Sequence, residues 1–164
     1  MLKVGVTGGI GSGKSLFCKI LKSLGYPVYD SDEKAKTIVN DDPELRLKIK
    51  NLLGSDSYNQ SGFYDRQWVA KKVFNDPKLL QELNSIIHPA VGVDFENWIS
   101  KHSKSPLLFK ETALLIETGI YKKMDFNINI SSPIELRIER IQKRDPHRNL
   151  EMIFQIISKQ MSDE

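Results

Sequence analysis

Gly8-Gly9-Ile10-Gly11-Ser12-Gly13-Lys14-Ser15 directly follows the apolar run Val4-Gly5-Val6, with Gly8, Gly13, Lys14 and Ser15 in the fixed places of a phosphate-binding loop. Each residue type has a use there. Glycines let consecutive backbone N–H groups curl around the β- and γ-phosphates of a nucleoside triphosphate, Lys14 adds a point charge, and the Ser15 hydroxyl can ligate Mg²⁺. A helix starting at the loop would aim its positive end at the same anion. Gly9, Ile10, Gly11, Ser12, Gly13, Lys14 and Ser15 are therefore the candidate nucleotide-binding residues, with Lys14 also catalytic and Ser15 the candidate metal ligand.

Two more constellations suit phosphoryl transfer. Asp30-Ser31-Asp32 closes a short apolar segment. A side chain leaving a strand end of this kind projects toward the phosphates, where a carboxylate can orient an acceptor hydroxyl and take its proton. Asp32 is the candidate base; Asp30 or Ser31 could instead cap the following helix. Further on, Arg137, Arg140, Lys143, Arg144, His147 and Arg148 crowd a helix and the turn after it. Ile134, Ile138 and Ile141 predict its buried stripe, and Arg144-Asp145-Pro146-His147-Arg148 breaks the helix as a lid would. Arginines closing there would stabilise charge on the transferred phosphoryl oxygens, which makes Arg144 a candidate catalytic group and Arg148 a candidate nucleotide contact. The alternative is a solvated or nucleic-acid-facing patch. Glu111 could help hold Mg²⁺, cap its strand or face solvent.

Four segments read as strands that must position these groups: Leu2–Val6, Pro27–Tyr29, Leu107–Phe109 and 126–130. Helical patterns separate them, and the pattern predicts a doubly wound α/β fold, three-layered, with a mostly parallel sheet. Leu16, Phe17, Ile20, Leu21 and Leu24 predict one apolar face on the helix after the phosphate loop, with Gly25 as its stop. The stretch 31–105 is too long for one crossover and predicts a helical insertion. Its apolar faces are Leu45, Ile49, Leu52 and Leu53, then Leu79, Leu80, Leu83, Ile86 and Ile87, then Val91, Phe95, Trp98 and Ile99. His88-Pro89 falls between the last two, as an interhelix turn. Such an insertion is where small-molecule kinases place the second substrate, so Phe63, Tyr64, Trp68 and Phe74 are candidates to line an acceptor pocket. The expected organisation is one domain: a nucleotide-binding core of residues 1–30 and 106–164, the insertion 31–105, and a lid at 144–150.

Composition narrows the class. The chain has 164 residues, 40% of them hydrophobic and 27% charged, which are values of a globular domain. No apolar run approaches the roughly 18 residues that span a bilayer. Met1-Leu2-Lys3 leads straight into a strand without a signal-peptide pattern, and a lone cysteine, Cys18, suits a reducing cytoplasm as a small packed thiol. A net charge of +3 gives no argument for nucleic-acid or membrane partners. A monomer or small homo-oligomer is expected.

The chain resembles the dephospho-coenzyme A kinases along nearly its whole length. The resemblance rests on Thr7 to Ser15, Asp30-Ser31-Asp32, Asp65-Arg66 followed by Val73-Phe74, Ile87-His88-Pro89, Leu114-Leu115-Ile116-Glu117 and Lys143-Arg144-Asp145. It implies a P-loop kinase fold and transfer of the ATP γ-phosphate, with Mg²⁺, to the ribose 3′-hydroxyl of dephospho-coenzyme A. It also implies Asp32 as the base, Arg144 as the phosphate-facing lid arginine, and Thr7, Asp32, Arg66, His88, Pro89, Leu114 and Glu117 near the acceptor. Ala113 departs from the proline common before Leu-Leu in that family. Leu150, Ile153, Phe154 and Ile157 begin an amphipathic helix near the end of this sequence, where family members continue through a further strand, an asparagine-containing loop and a closing helix. The expectation is a chain with the transfer residues but lowered stability and ATP affinity. Other small-molecule kinases, or a non-catalytic nucleotide-binding module, would share the phosphate loop. A GTP switch would need an Asn-Lys-x-Asp guanine reader, which the sequence lacks.

Overall fold

The structure is a computed structural model, and it describes residues 1–158 and 160. Its sheet has four parallel strands, β1 (Leu2–Thr7), β2 (Val28–Asp30), β3 (Leu107–Glu111) and β4 (Phe126–Asn129), in the order β2-β3-β1-β4. The helices are α1 (Lys14–Ser23), α2 (Ser31–Asp41), α3 (Pro43–Leu53), α4 (Arg66–Val73), α5 (Pro77–Lys101), α6 (Ile134–Arg144) and α7 (Leu150–Ser158). The chain divides into two compact units, residues 31–100 and the remainder. No helix among the described residues is long and apolar enough to cross a membrane.

Strand register brings the polar strand ends to one edge. Val6 pairs with Glu111, Asp30 pairs with Glu111 from the other side, and Thr7 pairs with Asn129. Parallel strands must do this, because their carboxyl ends all face the same way, and ligands in such folds bind beyond that edge. Beneath it Val4, Val6, Cys18, Leu21 and Phe109 form the core, with Phe17, Val28 and Ile128 packed against them.

Helix α1 corrects the five-residue face. Phe17, Cys18 and Leu21 turn inward, whereas Leu16, Ile20 and Leu24 are exposed. The five positions span two adjacent arcs at 3.6 residues per turn, and the sheet covers one of them. Burial pushes the Cys18 thiol up to about 12, with the Glu111 carboxylate adding to the shift. The thiolate is the nucleophile, so Cys18 in the folded chain is expected to resist alkylation by iodoacetamide at pH 8 and to react only on denaturation; mass spectrometry of the labelled protein checks this.

On α6 the expected stripe is also revised. Ile141 is fully buried, Ile138 partly so, and Ile134 is exposed, while Arg137 is 8% exposed and occupies the inner face. An arginine can sit there because its head is hydrogen-bonded, as described below.

The 31–100 unit has its own core of Val39, Leu45, Ile49, Leu53, Tyr58, Val69, Val73 and Leu83. Aspartates start its helices: Asp42 accepts from the Glu44 and Leu45 amides, and Asp65 from the Trp68 amide. Asp76 accepts from the Leu79 amide at 2.9 Å just ahead of Pro77. The Tyr58 hydroxyl, which would otherwise be a costly buried polar group, donates to the Val39 carbonyl at 2.7 Å. His88-Pro89 is not an interhelix turn, since both residues lie inside the continuous α5. Pro89 removes one helical hydrogen bond, at a cost of about 3 kcal/mol. Buried Leu83 on one side of it and Val91 and Phe95 on the other keep the helix whole.

His88 keeps an exposed edge, while partial burial of its ring pushes the imidazole below its ordinary value. A folded value below the unfolded one means that the unfolded chain takes up the proton first as pH falls. The stability tied to this ring is therefore intact above the unfolded value, about 6.5, and declines below it. An NMR titration midpoint of His88 below about 6.5 is the expected result.

Candidate active site

The phosphate loop runs from the end of β1 to the start of α1. Gly13, at φ 106° and ψ 5°, takes the left-handed conformation that a side chain would oppose, and its carbonyl accepts from the Leu16 and Phe17 amides at 3.0 and 3.1 Å. This turn places Lys14 and Ser15 in the first turn of α1. Lys14 Nζ donates to Glu111 Oε1 at 2.8 Å, and the Ser15 hydroxyl donates to the same oxygen at 3.3 Å. Glu111 is buried at the end of β3, so it faces the loop rather than solvent. Ser12 Oγ is buried with no hydrogen-bond partner among the described residues. An orphaned hydroxyl on a glycine-rich loop that leads into the N-terminus of α1 is what an oxyanion would satisfy.

Beside the loop lies a cavity of about 210 Å³ whose lining includes Thr7, Gly8 and Gly9 on one side and Ala113, Ile116 and Glu117 on the other, with Asn127 and Asn129 from β4. Thr7, Gly9 and Glu117, singled out by sequence, thus share one cavity. Leu114 is exposed and its neighbour Leu115 is the core residue of that segment. Asp32 is exposed in the first turn of α2, Arg66 is exposed at the start of α4, and His88 and Pro89 are exposed on α5. Of the four aromatic residues expected to line one pocket, Tyr64 and Trp68 pack against the core of the 31–100 unit, whereas Phe63 and Phe74 are exposed.

The basic run separates into two groups. Arg144 holds Asp145 Oδ2 through Nη2 at 2.9 Å and Nε at 3.2 Å, and Arg148 Nε lies 3.6 Å from the same oxygen. The hydrogen bond from Arg144 holds the Asp145 carboxyl below its usual range. Arg137 and Arg140 instead reach the back of the phosphate loop. Arg137 Nε donates to the Ile10 carbonyl at 3.0 Å, and Arg140 Nη1 to the Gly11 and Ser12 carbonyls at 3.2 Å each.

Comparison with known proteins matches residues 2–164 to the dephospho-CoA kinase family. The chain belongs to the dephospho-CoA kinase family. As a member it is a kinase, with the P-loop kinase fold. It is 38% identical over 163 residues to a dephospho-CoA kinase of Bacteroides fragilis, covering 99% of this chain and 78% of that protein. With the dephospho-CoA kinase of Porphyromonas gingivalis it shares 41% identity over 145 residues, 88% of this chain and 71% of the relative. A crystal structure from Thermus thermophilus superposes with a TM-score of 0.85 at 32% identity, covering 98% of this chain and 80% of that one. The dephospho-CoA kinase structure from Campylobacter jejuni gives 0.66 at 27% identity, with 95% and 78% covered.

Sequence reasoning about this kinase missed Arg137, Arg140 and Gln160 as loop contacts and Asn127 and Asn129 as cavity lining. A signal for Arg137 was available. Arg137 stands four residues before Ile141 and next to Ile138, so an arginine stood on the face that these two isoleucines turn inward.

Proposed function

We propose that this chain transfers the γ-phosphate of ATP to the ribose 3′-hydroxyl of dephospho-coenzyme A, the last step of coenzyme A synthesis. Family membership supports the reaction, and the observation that carries it is the convergence of Lys14, Ser15 and Glu111 at the phosphate loop. The acceptor oxygen forms a bond to the γ-phosphorus, the bond from that phosphorus to the β–γ bridging oxygen breaks, and ADP leaves. Asp32 aligns the hydroxyl and takes its proton. Lys14 and Arg144 offset the charge on the phosphoryl oxygens, Arg148 contacts the nucleotide, and Gly9 to Ser15 hold the phosphates. Thr7, Arg66, His88, Pro89, Leu114 and Glu117 contact the acceptor.

Mg²⁺ commonly takes one or two protein oxygens and fills its remaining positions with phosphate and water. The Ser15 hydroxyl and Glu111 carboxylate fit that pattern and would hold the ion, which when bound neutralises charge on the β- and γ-phosphates. The enzyme works in the cytoplasm as a monomer or small homo-oligomer, without a nucleic-acid or membrane partner.

ADP release with MgATP and dephospho-coenzyme A, run beside nucleoside monophosphates, tests the reading. Turnover with dephospho-coenzyme A alone is expected. Preference for a nucleoside monophosphate would assign a different small-molecule kinase, and nucleotide binding without turnover on any acceptor would make the chain a binding module.

A further inference from the structure

We propose that Arg137 is a positioning residue of the phosphate loop, shaping it from behind so that its amides are set for ATP before the nucleotide arrives. A loop that curls its N–H groups inward around an anion turns carbonyls outward, and those carbonyls need donors. The structure supplies them from one helix. Arg137 Nε donates to the Ile10 carbonyl at 3.0 Å, and Arg140 Nη1 donates to the next two carbonyls. The Ile10 amide on the same residue donates to Gln160 Oε1 at 2.9 Å, and Arg137 Nη2 lies 3.4 Å from that oxygen. Ile10 is thus gripped through both of its backbone polar groups.

Shape adds to the hydrogen bonds. The Arg137 guanidinium fills the place where a Cβ on Gly9 would sit, with Arg137 Cζ 2.6 Å from that point. Arg137's own backbone crosses Gly11, where a Cβ would stand 2.6 Å from the Arg137 carbonyl oxygen, and Gly11 has φ +79°. The two glycines let α6 press against the loop. Glycines also leave a loop with more conformations to lose than any other residue does, so this segment has the most to gain from an external brace. Arg137 acts through the loop backbone.

The inference rests on ATP binding at this loop, so the unaltered chain is titrated with MgATP first. Absence of binding overturns the functional reading and this inference together. Given binding, Arg137→Ala is expected to weaken ATP about tenfold, the scale of one lost hydrogen bond from a charged group. The KM for dephospho-coenzyme A should stay unchanged, and Arg137→Lys should recover part of the ATP loss. Gly9→Ala alone should weaken ATP as well, because the new methyl displaces Arg137; added to Arg137→Ala it should cost less than it does alone. Unchanged ATP affinity in Arg137→Ala overturns the proposal. So does a parallel rise in both KM values with a lower melting temperature, or an additive effect of the two substitutions. If Arg137→Ala does not fold, Gly9→Ala and Arg137→Lys decide, and normal ATP affinity in both overturns the proposal.

Discussion

Lys14→Ala is expected to lower turnover by roughly two to three decades, the loss of about 3 kcal/mol of transition-state stabilisation typical of one charge contact. The structure adds a second consequence. Lys14 Nζ is paired with Glu111 at 2.8 Å, and both side chains are largely buried, at 12% and 5% exposure. Removing the ammonium leaves the buried carboxylate with only the Ser15 hydroxyl and the Cys18 thiol beside it among the described residues, and breaking such a pair from one side costs on the order of 3 kcal/mol of stability. Lys14→Ala should therefore melt earlier as well as turn over slowly. Adding Glu111→Gln removes the stranded charge and should restore most of the melting temperature while leaving turnover low. Steady-state kinetics and thermal melts on both variants check this. Recovery of turnover in the double variant would mean that Lys14 serves the fold alone.

Asp32→Asn is expected to reduce kcat by about two to four decades, the range that a positioned general base contributes. The side chain is exposed in the first turn of α2, and an amide has nearly the volume of a carboxylate, so the stability cost should stay at about 0.3–1 kcal/mol, that of a first-turn charge, far below the catalytic effect. ATP affinity should be retained, since Gly9 to Ser15, the residues proposed to hold the phosphates, are untouched. Near-normal kcat in Asp32→Asn would shift the base to Asp30, which ends β2 opposite Glu111.

The glycine spacing from Gly8 to Ser15 made the phosphate loop legible, because few other uses require those residue types in that order. The four strands were legible from short apolar runs between helical patterns. Their ends shifted by one or two residues, to Thr7, Val28 to Asp30, Glu111 and Asn129, since pairing with a neighbour decides where a strand stops. Helical periodicity found most of the apolar faces of the 31–100 unit, but it counted exposed Leu80 among them and split α5 at Pro89. A proline costs one local hydrogen bond, and the packing that outweighs it is not written locally.

What the sequence alone determined, then, is the phosphate-loop motif and the family, because both reside in residue types at fixed spacing. What only the tertiary structure decided is which groups meet. Glu111 stands 97 residues from Lys14, and strand register brings them within 2.8 Å. Arg137 stands 127 residues from Ile10 and reads as one more charge in a basic run until α6 is set behind the loop. Contacts of that separation depend on how strands align and which helix face turns inward, and both are settled by burial of the whole core rather than by neighbouring residues.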